Sequence, residues 1–318
     1  MGLIDKSRKI LMYVNTKQKL KKSNKLGGIE ILNYNLFNYL KLKYLIILTN
    51  KITNKIKKTK WDIAISSNDT SIFNSINANK KILWLHNLLQ IEKAFRKKNL
   101  YPLFLNKPIA VFVSRYLESK TSKLYPFKKR IVIENFLDKN FENIKPNFTR
   151  KQIFIWSVQR SKGLENVLEL WQNTIIKEFP KARLYIFGIE KDKKWKKLKK
   201  FNIYFFGRVE KKILIKNYRS SLGMICLGYD ETFCLNAIES MSCGQPVISF
   251  GKTALKKLIL HNKNGYLVND FEELTKILLN ILKSNKEKHA KIIKSSILFS
   301  NKFYFKNIKK QWISLLKN

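Results

Sequence analysis

The chain has 318 residues, enough for one large domain or two ordinary ones, and 45% hydrophobic with 13% aromatic residues can fill real cores, which excludes a disordered chain. Its 64 Lys and Arg stand against 22 Asp and Glu, a formal net charge of +42. No apolar run approaches the roughly 20 residues of a membrane-spanning helix, and MGLIDKSRKI has no secretory apolar segment, so the expectation is a cytoplasmic chain.

In chain order, short β-branched runs alternate with amphipathic helical stretches, the pattern of an α/β protein with parallel sheets. Strands are expected at Lys9–Val14, Leu45–Thr49, Asp62–Ser66, Ile82–His86, Ala110–Ser114 and Arg130–Glu134. A polar seam, Asp138–Thr149 with Pro146, follows. A second set is expected at Ile153–Ser157, Arg183–Phe187, Ile203–Phe206, Gly223–Leu227, Val247–Phe250 and Tyr266–Val268. Two such sets predict two doubly wound domains, 1–143 and 144–302. The last stretch, 303–318, reads as a helix with an apolar face at Ile308, Trp312, Leu315 and Leu316, able to dock on either domain.

Several classes fall away. Neither half carries a GxGxxG turn after its first strand, and there is no P-loop, helix-turn-helix, zinc-finger or RNP signature. The three cysteines, Cys226, Cys234 and Cys243, have no metal-ligand spacing and read as reduced, packed thiols. The positive charge has two accounts. One is an anionic partner, such as an acidic lipid surface at which each Lys contributes about 1 kcal/mol; the other is drift toward Lys, Asn and Ile from AT-rich codons.

Open α/β sheets bind ligands beyond the carboxyl ends of their strands, so the residues there carry the functional reading. Gly27 and Gly28 precede a helix over Ile29–Leu40, where glycine lets a phosphate approach backbone N–H groups, although a plain loop needs no more than this. His86 ends KKILWLHN and is either structural or a hydrogen-bonding group for a sugar or phosphate. Arg160, Lys162 and Gly163 precede a helix over Leu164–Lys177. Two cations at a helix N-terminus oppose its dipole, a cost that a bound anion offsets.

The segment YDETFCLNAIESMSCGQPVIS is the strongest signal. Glu231 and Glu239 lie eight positions apart, with a helix expected to start near Phe233. Eight helical residues rise roughly 12 Å, about the span from a sugar through a diphosphate to a ribose. Carboxylates accept hydrogen bonds from vicinal hydroxyls. The structural alternatives are a helix cap for Glu231 and a solvated face for Glu239, but Ala237, Ile238 and Met241 make the helix apolar around Glu239.

Glu231…Glu239, the small-C-G-x-P-V turn at Ser242–Val247, the N-G-x-L-V strand at Asn264–Val268, and the elements SVQRSKGLENVLELW, LYIFG and GGIE together resemble the retaining GT-B glycosyltransferases of family 4. The resemblance covers nearly the whole chain and is most specific from Gln152 to Val268. It implies two Rossmann-like domains facing a central cleft, the first on the acceptor side and the second binding a nucleotide-sugar donor. It implies that Arg160 and Lys162 neutralise the donor diphosphate, that Glu239 accepts from the ribose hydroxyls and that Glu231 contacts the donor sugar. Backbone N–H groups of Thr232, Phe233, Cys234 and Leu235 would lie near sugar or phosphate, with His86 near the sugar and Gly28 near the phosphates. Catalytic roles would fall to Glu231, His86 and Lys162. No metal or other cofactor is implied. Cys234 stands where the family commonly has glycine, and RSKG brings the Arg and Lys closer together than usual.

The expected activity is hexosyl transfer, with retention, from a nucleotide-diphosphate sugar to a saccharide or lipid-linked glycan, as in surface polysaccharide or lipopolysaccharide assembly. The chain would sit in the cytoplasm or peripherally at the inner membrane face, with an anionic membrane surface as a further partner. Two alternatives stand beside it: a GT-B sugar-nucleotide epimerase, which needs added acids for proton transfer, and a basic nucleic-acid binder, which predicts steeply salt-dependent affinity.

Overall fold

The computed structural model describes residues 7–20, 27–90, 99–190 and 192–317. It contains two six-stranded sheets, and every strand pair within each is parallel. The chain divides into two units. One comprises Met1–Phe136 with Ile308–Asn318, the other Leu137–Asn307.

In the first unit the strands β1 (Lys9–Val14), β2 (Leu45–Thr49), β3 (Lys60–Ser67), β4 (Asn77–Leu85), β5 (Ile109–Phe112) and β6 (Lys129–Val132) lie in the order β2-β1-β3-β4-β5-β6. Ile10, Leu11 and Met12 are all fully buried. Consecutive buried residues mean that both faces of β1 are covered, which is why it reads as an unbroken apolar run. The strand β4 begins earlier than its apolar run, at Asn77 rather than Ile82. The polar residues Asn77–Lys81 are drawn in by pairing with β3. Lys81 Nζ donates to Phe73 O (3.1 Å) and Asn106 Oδ1 (2.6 Å).

The final helix, Phe305–Lys317, buries Ile308, Trp312, Leu315 and Leu316. Trp312 meets Trp84 edge-on with ring centroids 4.8 Å apart. Arg8 donates to the carbonyls of Leu316 and, at 2.9 Å, Lys317; Lys80 Nζ donates to Leu315 O at 2.9 Å. These cations satisfy terminal carbonyls that no intrahelical N–H can reach, at the negative end of the helix dipole.

In the second unit β7 (Lys151–Trp156), β8 (Arg183–Phe187), β9 (Ile203–Gly207), β10 (Ser221–Ile225), β11 (Val247–Phe250) and β12 (Gly265–Val268) follow the order β12-β11-β10-β7-β8-β9. Strand order therefore reverses between β7 and β10, as it does between β1 and β3 in the first sheet. Such a reversal opens a crevice at the carboxyl ends of the two strands, because their outgoing connections leave in opposite directions.

Candidate functional site

The crevice of the second unit is built from the loops that leave β7 and β10. After β7, Arg160–Lys162 forms a single 3₁₀ turn, closed by Gly163 at φ 97°. A Cβ at Gly163 would lie 2.6 Å from Leu227 Cδ1 and 2.8 Å from Tyr229 Cε2. Glycine is needed twice over here, for the left-handed backbone and for the close approach of the β10 loop. That approach brings Lys162 Nζ to 2.8 Å from Glu231 Oε1, with the two side chains 15% and 13% exposed. So little solvent screens this pair that it couples the two loops more strongly than a surface ion pair does.

Glu231 lies in the loop, not on the helix. The helix starts at Leu235 and runs to Ser242, so eight helical residues do not separate Glu231 from Glu239. Glu231 does not cap that helix either. Its N-cap residue is Cys234, which makes no side-chain capping bond and holds φ 70°. Left-handed backbone is costly for a residue with a Cβ, which gives the physical sense of the glycine common at this position. Thr232, Phe233, Cys234 and Leu235 bring the chain into the first helical turn, whose N–H groups have no intrahelical acceptor. The Phe233 ring itself is buried against Phe303, at a centroid distance of 5.6 Å.

Glu239 sits on the Leu235–Ser242 helix among Ala237, Ile238 and Met241, all fully buried. Glu239 itself is half-buried. Burial raises its pKa from 4.5 to about 7, opposed by the charge of Lys211 and assisted by that of Asp138. Lys211 and Asp138 are themselves paired at 2.6 Å. Glu239 in turn adds to the rise that burial imposes on the Tyr218 hydroxyl, which lies 2.7 Å from Ser157 Oγ at the end of β7.

Arg160 goes elsewhere. It pairs with Glu165 through Nε and lies over the Trp195 ring at 5.1 Å, with its side chain 47% exposed. Glu165 thus offsets one of the two cations at the start of the Leu164–Leu170 helix.

The two remaining candidates belong to the first unit. Gly28 is the exposed first residue of the Gly28–Leu40 helix, whose N-cap, Gly27, provides no side chain. His86 is 5% exposed and lies against Trp84, with ring centroids 4.5 Å apart; its backbone N–H donates to Asn68 Oδ1 at 2.7 Å. Burial lowers its pKa to about 3, so the ring is neutral at physiological pH.

Three groups escape sequence reasoning. Asn236 donates its amide to the Ser157 carbonyl and ties the helix carrying Glu239 to the end of β7. Tyr229 packs on Gly163, and its neighbour Asp230 turns the chain at φ 54°. In the first unit, Asp69 is 5% exposed and accepts from Asn15 Nδ2 (2.6 Å), Ser71 N (2.9 Å) and Ser71 Oγ (2.6 Å). Each rests on a contact distant in sequence or on a loop turn, and none has a repeating pattern to reveal it.

Residues 137–298, just over half of the chain, match the family described as Glycosyl transferases group 1, and the chain belongs to that family. The fold is GT-B. It is similar to sucrose-phosphate synthase from Thermosynechococcus elongatus, with a TM-score of 0.74 and 15% identity over 98% of this chain and 98% of that one. It is also similar to HepE from Anabaena in complex with UDP, with a TM-score of 0.70 and 16% identity over 97% and 99% of the two chains. A mutant of TarM from S. aureus, in complex with Fondaparinux, alpha-GlcNAc-glycerol and UDP, gives a TM-score of 0.68 and 19% identity over 90% of this chain and 59% of that chain. No curated protein matches in sequence. Among the described residues, no helix is long and apolar enough to cross a membrane.

Proposed function

We propose that the chain is a retaining glycosyltransferase of family 4 that moves a hexose from a nucleotide-diphosphate sugar to a saccharide or lipid-linked glycan. The observation that carries this reading is the switch-point constellation of the second unit. A cation, Lys162, and an acid, Glu231, are paired across the two crevice loops, and a second, desolvated acid, Glu239, stands on the adjoining helix. An anionic, hydroxyl-rich ligand needs that set, because phosphates seek cations and vicinal hydroxyls seek carboxylates. HepE has also been captured with UDP-glucose, which makes UDP-sugars the first donors to test.

In this reading the donor breaks the Lys162–Glu231 pair. Glu231 turns to the sugar hydroxyls and Lys162 to the diphosphate, where it stabilises the charge that grows on the leaving group. Preorganised electrostatic stabilisation of this kind is commonly the largest single contribution to catalysis. Glu239 accepts from the ribose hydroxyls, and the N–H groups of Thr232–Leu235 meet sugar or phosphate. Arg160 supports the diphosphate once released from Glu165. His86, held neutral, keeps its hydrogen-bonding role near the sugar, and Gly28 its place near the phosphates. The first unit serves the acceptor and the second, Leu137–Asn307, the donor. The transfer step uses no metal ion, and the enzyme works in the cytoplasm, where its positive charge suits the inner membrane face.

The test is incubation of the purified chain with UDP-, GDP- and ADP-sugars, with and without saccharide acceptors, followed by NMR of the anomeric proton. A product glycoside with the donor's configuration supports the proposal. An epimerised nucleotide sugar formed without acceptor supports the epimerase instead. Glycoside of inverted configuration would refute retention.

A further inference from the structure

The loop that carries Glu231 is bracketed by two cysteines whose sulfurs meet. Cys226 Sγ, just past the end of β10, lies 3.8 Å from Cys234 Sγ at the start of the next helix, and both residues are buried. The ligand atoms of Cys226, Cys234 and Glu231 all lie within 4.8 Å of one another. Two thiolates bound to one zinc ion at about 2.3 Å in tetrahedral geometry sit about 3.8 Å apart. The sulfur separation therefore already matches the edge of such a site. A point equidistant from three atoms with these separations lies no more than about 2.8 Å from each, so a few tenths of an ångström of closure completes three bonds. Glu231 has two oxygens. Oε1 faces Lys162 at 2.8 Å, and a carboxylate can accept from a cation and bind a metal at the same time through its two oxygens. The carboxylate, 13% exposed, also provides the way in from solvent.

We propose that Cys226, Cys234 and Glu231 form a three-ligand site for a zinc-type divalent ion, with the fourth coordination position open to water. Sulfur and carboxylate ligands in this number favour a borderline-soft ion over magnesium or calcium, which take oxygen ligands at higher coordination number. Binding replaces two S–H bonds by two S–metal bonds and releases two protons to solvent, so affinity rises with pH. The ion is no cofactor. It holds the acid that the proposed donor sugar requires, so metal and nucleotide sugar compete; this consequence alone rests on the glycosyltransferase reading.

The experiment is a titration of the reduced, metal-stripped full chain with Co²⁺, read by the thiolate-to-cobalt charge-transfer absorption and without any nucleotide. One equivalent should saturate the signal, and Zn²⁺ should abolish it. Cys234→Gly should weaken Co²⁺ binding by about a hundredfold, the share of one ligand in a structural zinc affinity. This variant preserves the fold, since glycine relieves the φ of 70° at that position. Cys226→Ser should have a similar effect, Glu231→Gln a smaller one, and Cys243→Ser none. No charge-transfer band, or a band unchanged in Cys234→Gly, would overturn the site. A separate arm titrates UDP with and without Zn²⁺. Weaker UDP or UDP-sugar binding in zinc, absent in Cys234→Gly, supports the competition. Cobalt binding with no nucleotide binding at all leaves the site standing and removes the transferase reading.

Discussion

The two sheets reverse strand order at equivalent places, and in each a side chain from one crevice loop meets a side chain from the other. In the first sheet Asn15 donates to Asp69 across the β1 and β3 loops at 2.6 Å. In the second, Lys162 meets Glu231 across the β7 and β10 loops at 2.8 Å. The contacts look alike and differ in consequence. Asp69 has further donors in Ser71 N and Oγ, so its bonds close a finished loop. Glu231 has a cation that a stronger anion can draw away, and the nearby Glu239 is held in surroundings that favour its neutral form. The same topological feature carries a neutral donor on a carboxylate in one unit and an ion pair beside a second acid in the other. In the proposed reading, an anionic, hydroxyl-bearing ligand engages only the second.

That contrast can be attacked at several points, in order of expected effect. In the first unit, Trp312→Ala removes a fully enclosed indole that packs on Trp84. It should cost about 3–5 kcal/mol of stability, seen as a lower denaturation midpoint, with little change in nucleotide affinity in protein that stays folded. In the second unit, Lys162→Ala should lower kcat about 10²–10³-fold, as expected for losing a group that stabilises leaving-group charge, and should also cost some stability, because it leaves the little-exposed Glu231 carboxylate without its cation. If instead the melting temperature falls and turnover is kept, Lys162 is architecture like Asn15. Gly163→Ala should cost about 1–3 kcal/mol through its forced backbone conformation, and it should loosen the Lys162–Glu231 contact. Both effects are measurable by thermal melting and by KM for the donor. Arg160→Ala should be mildest, below about tenfold in donor affinity, because Arg160 is already engaged by Glu165 at an exposed site.

Much of the scaffold was legible in the sequence. All twelve strands overlap the apolar, β-branched runs that marked them; central strands such as β1 and β10 are covered on both faces and need such runs, whereas the edge strands β2 and β6 carry them while partly exposed. The edges were less legible. Polar Asn77–Lys81 reads as loop, yet it pairs with β3 because Lys81 finds acceptors in Phe73 and Asn106. At the candidate site, the residue types were readable and their relations were not. Spacing placed Glu231 just before a helix starting near Phe233 and read the step to Glu239 as helical rise, but the helix begins only at Leu235, and left-handed turns at Asp230 and Cys234 bracket Glu231 in the loop. Its real partner, Lys162, is 69 positions away. The same loop turn brings Cys226 and Cys234 together, although their spacing matches no metal pattern.

If the second unit's acids exist to be engaged by a nucleotide sugar, Glu239 offers the most direct test. Its folded pKa is raised, so its ionisation weakens the unliganded fold as pH climbs from 4.5 through about 7. Ribose hydroxyls donate to the ionised form, so binding should favour it. Calorimetric titration with UDP from pH 5.5 to pH 8.5 should show constant affinity above about pH 7 and a loss approaching tenfold per unit below it. Glu239→Gln should flatten that profile at weak affinity, while raising the melting temperature above pH 7 and leaving it unchanged near pH 4. A pH-independent UDP affinity that Glu239→Gln does not alter would contradict the account.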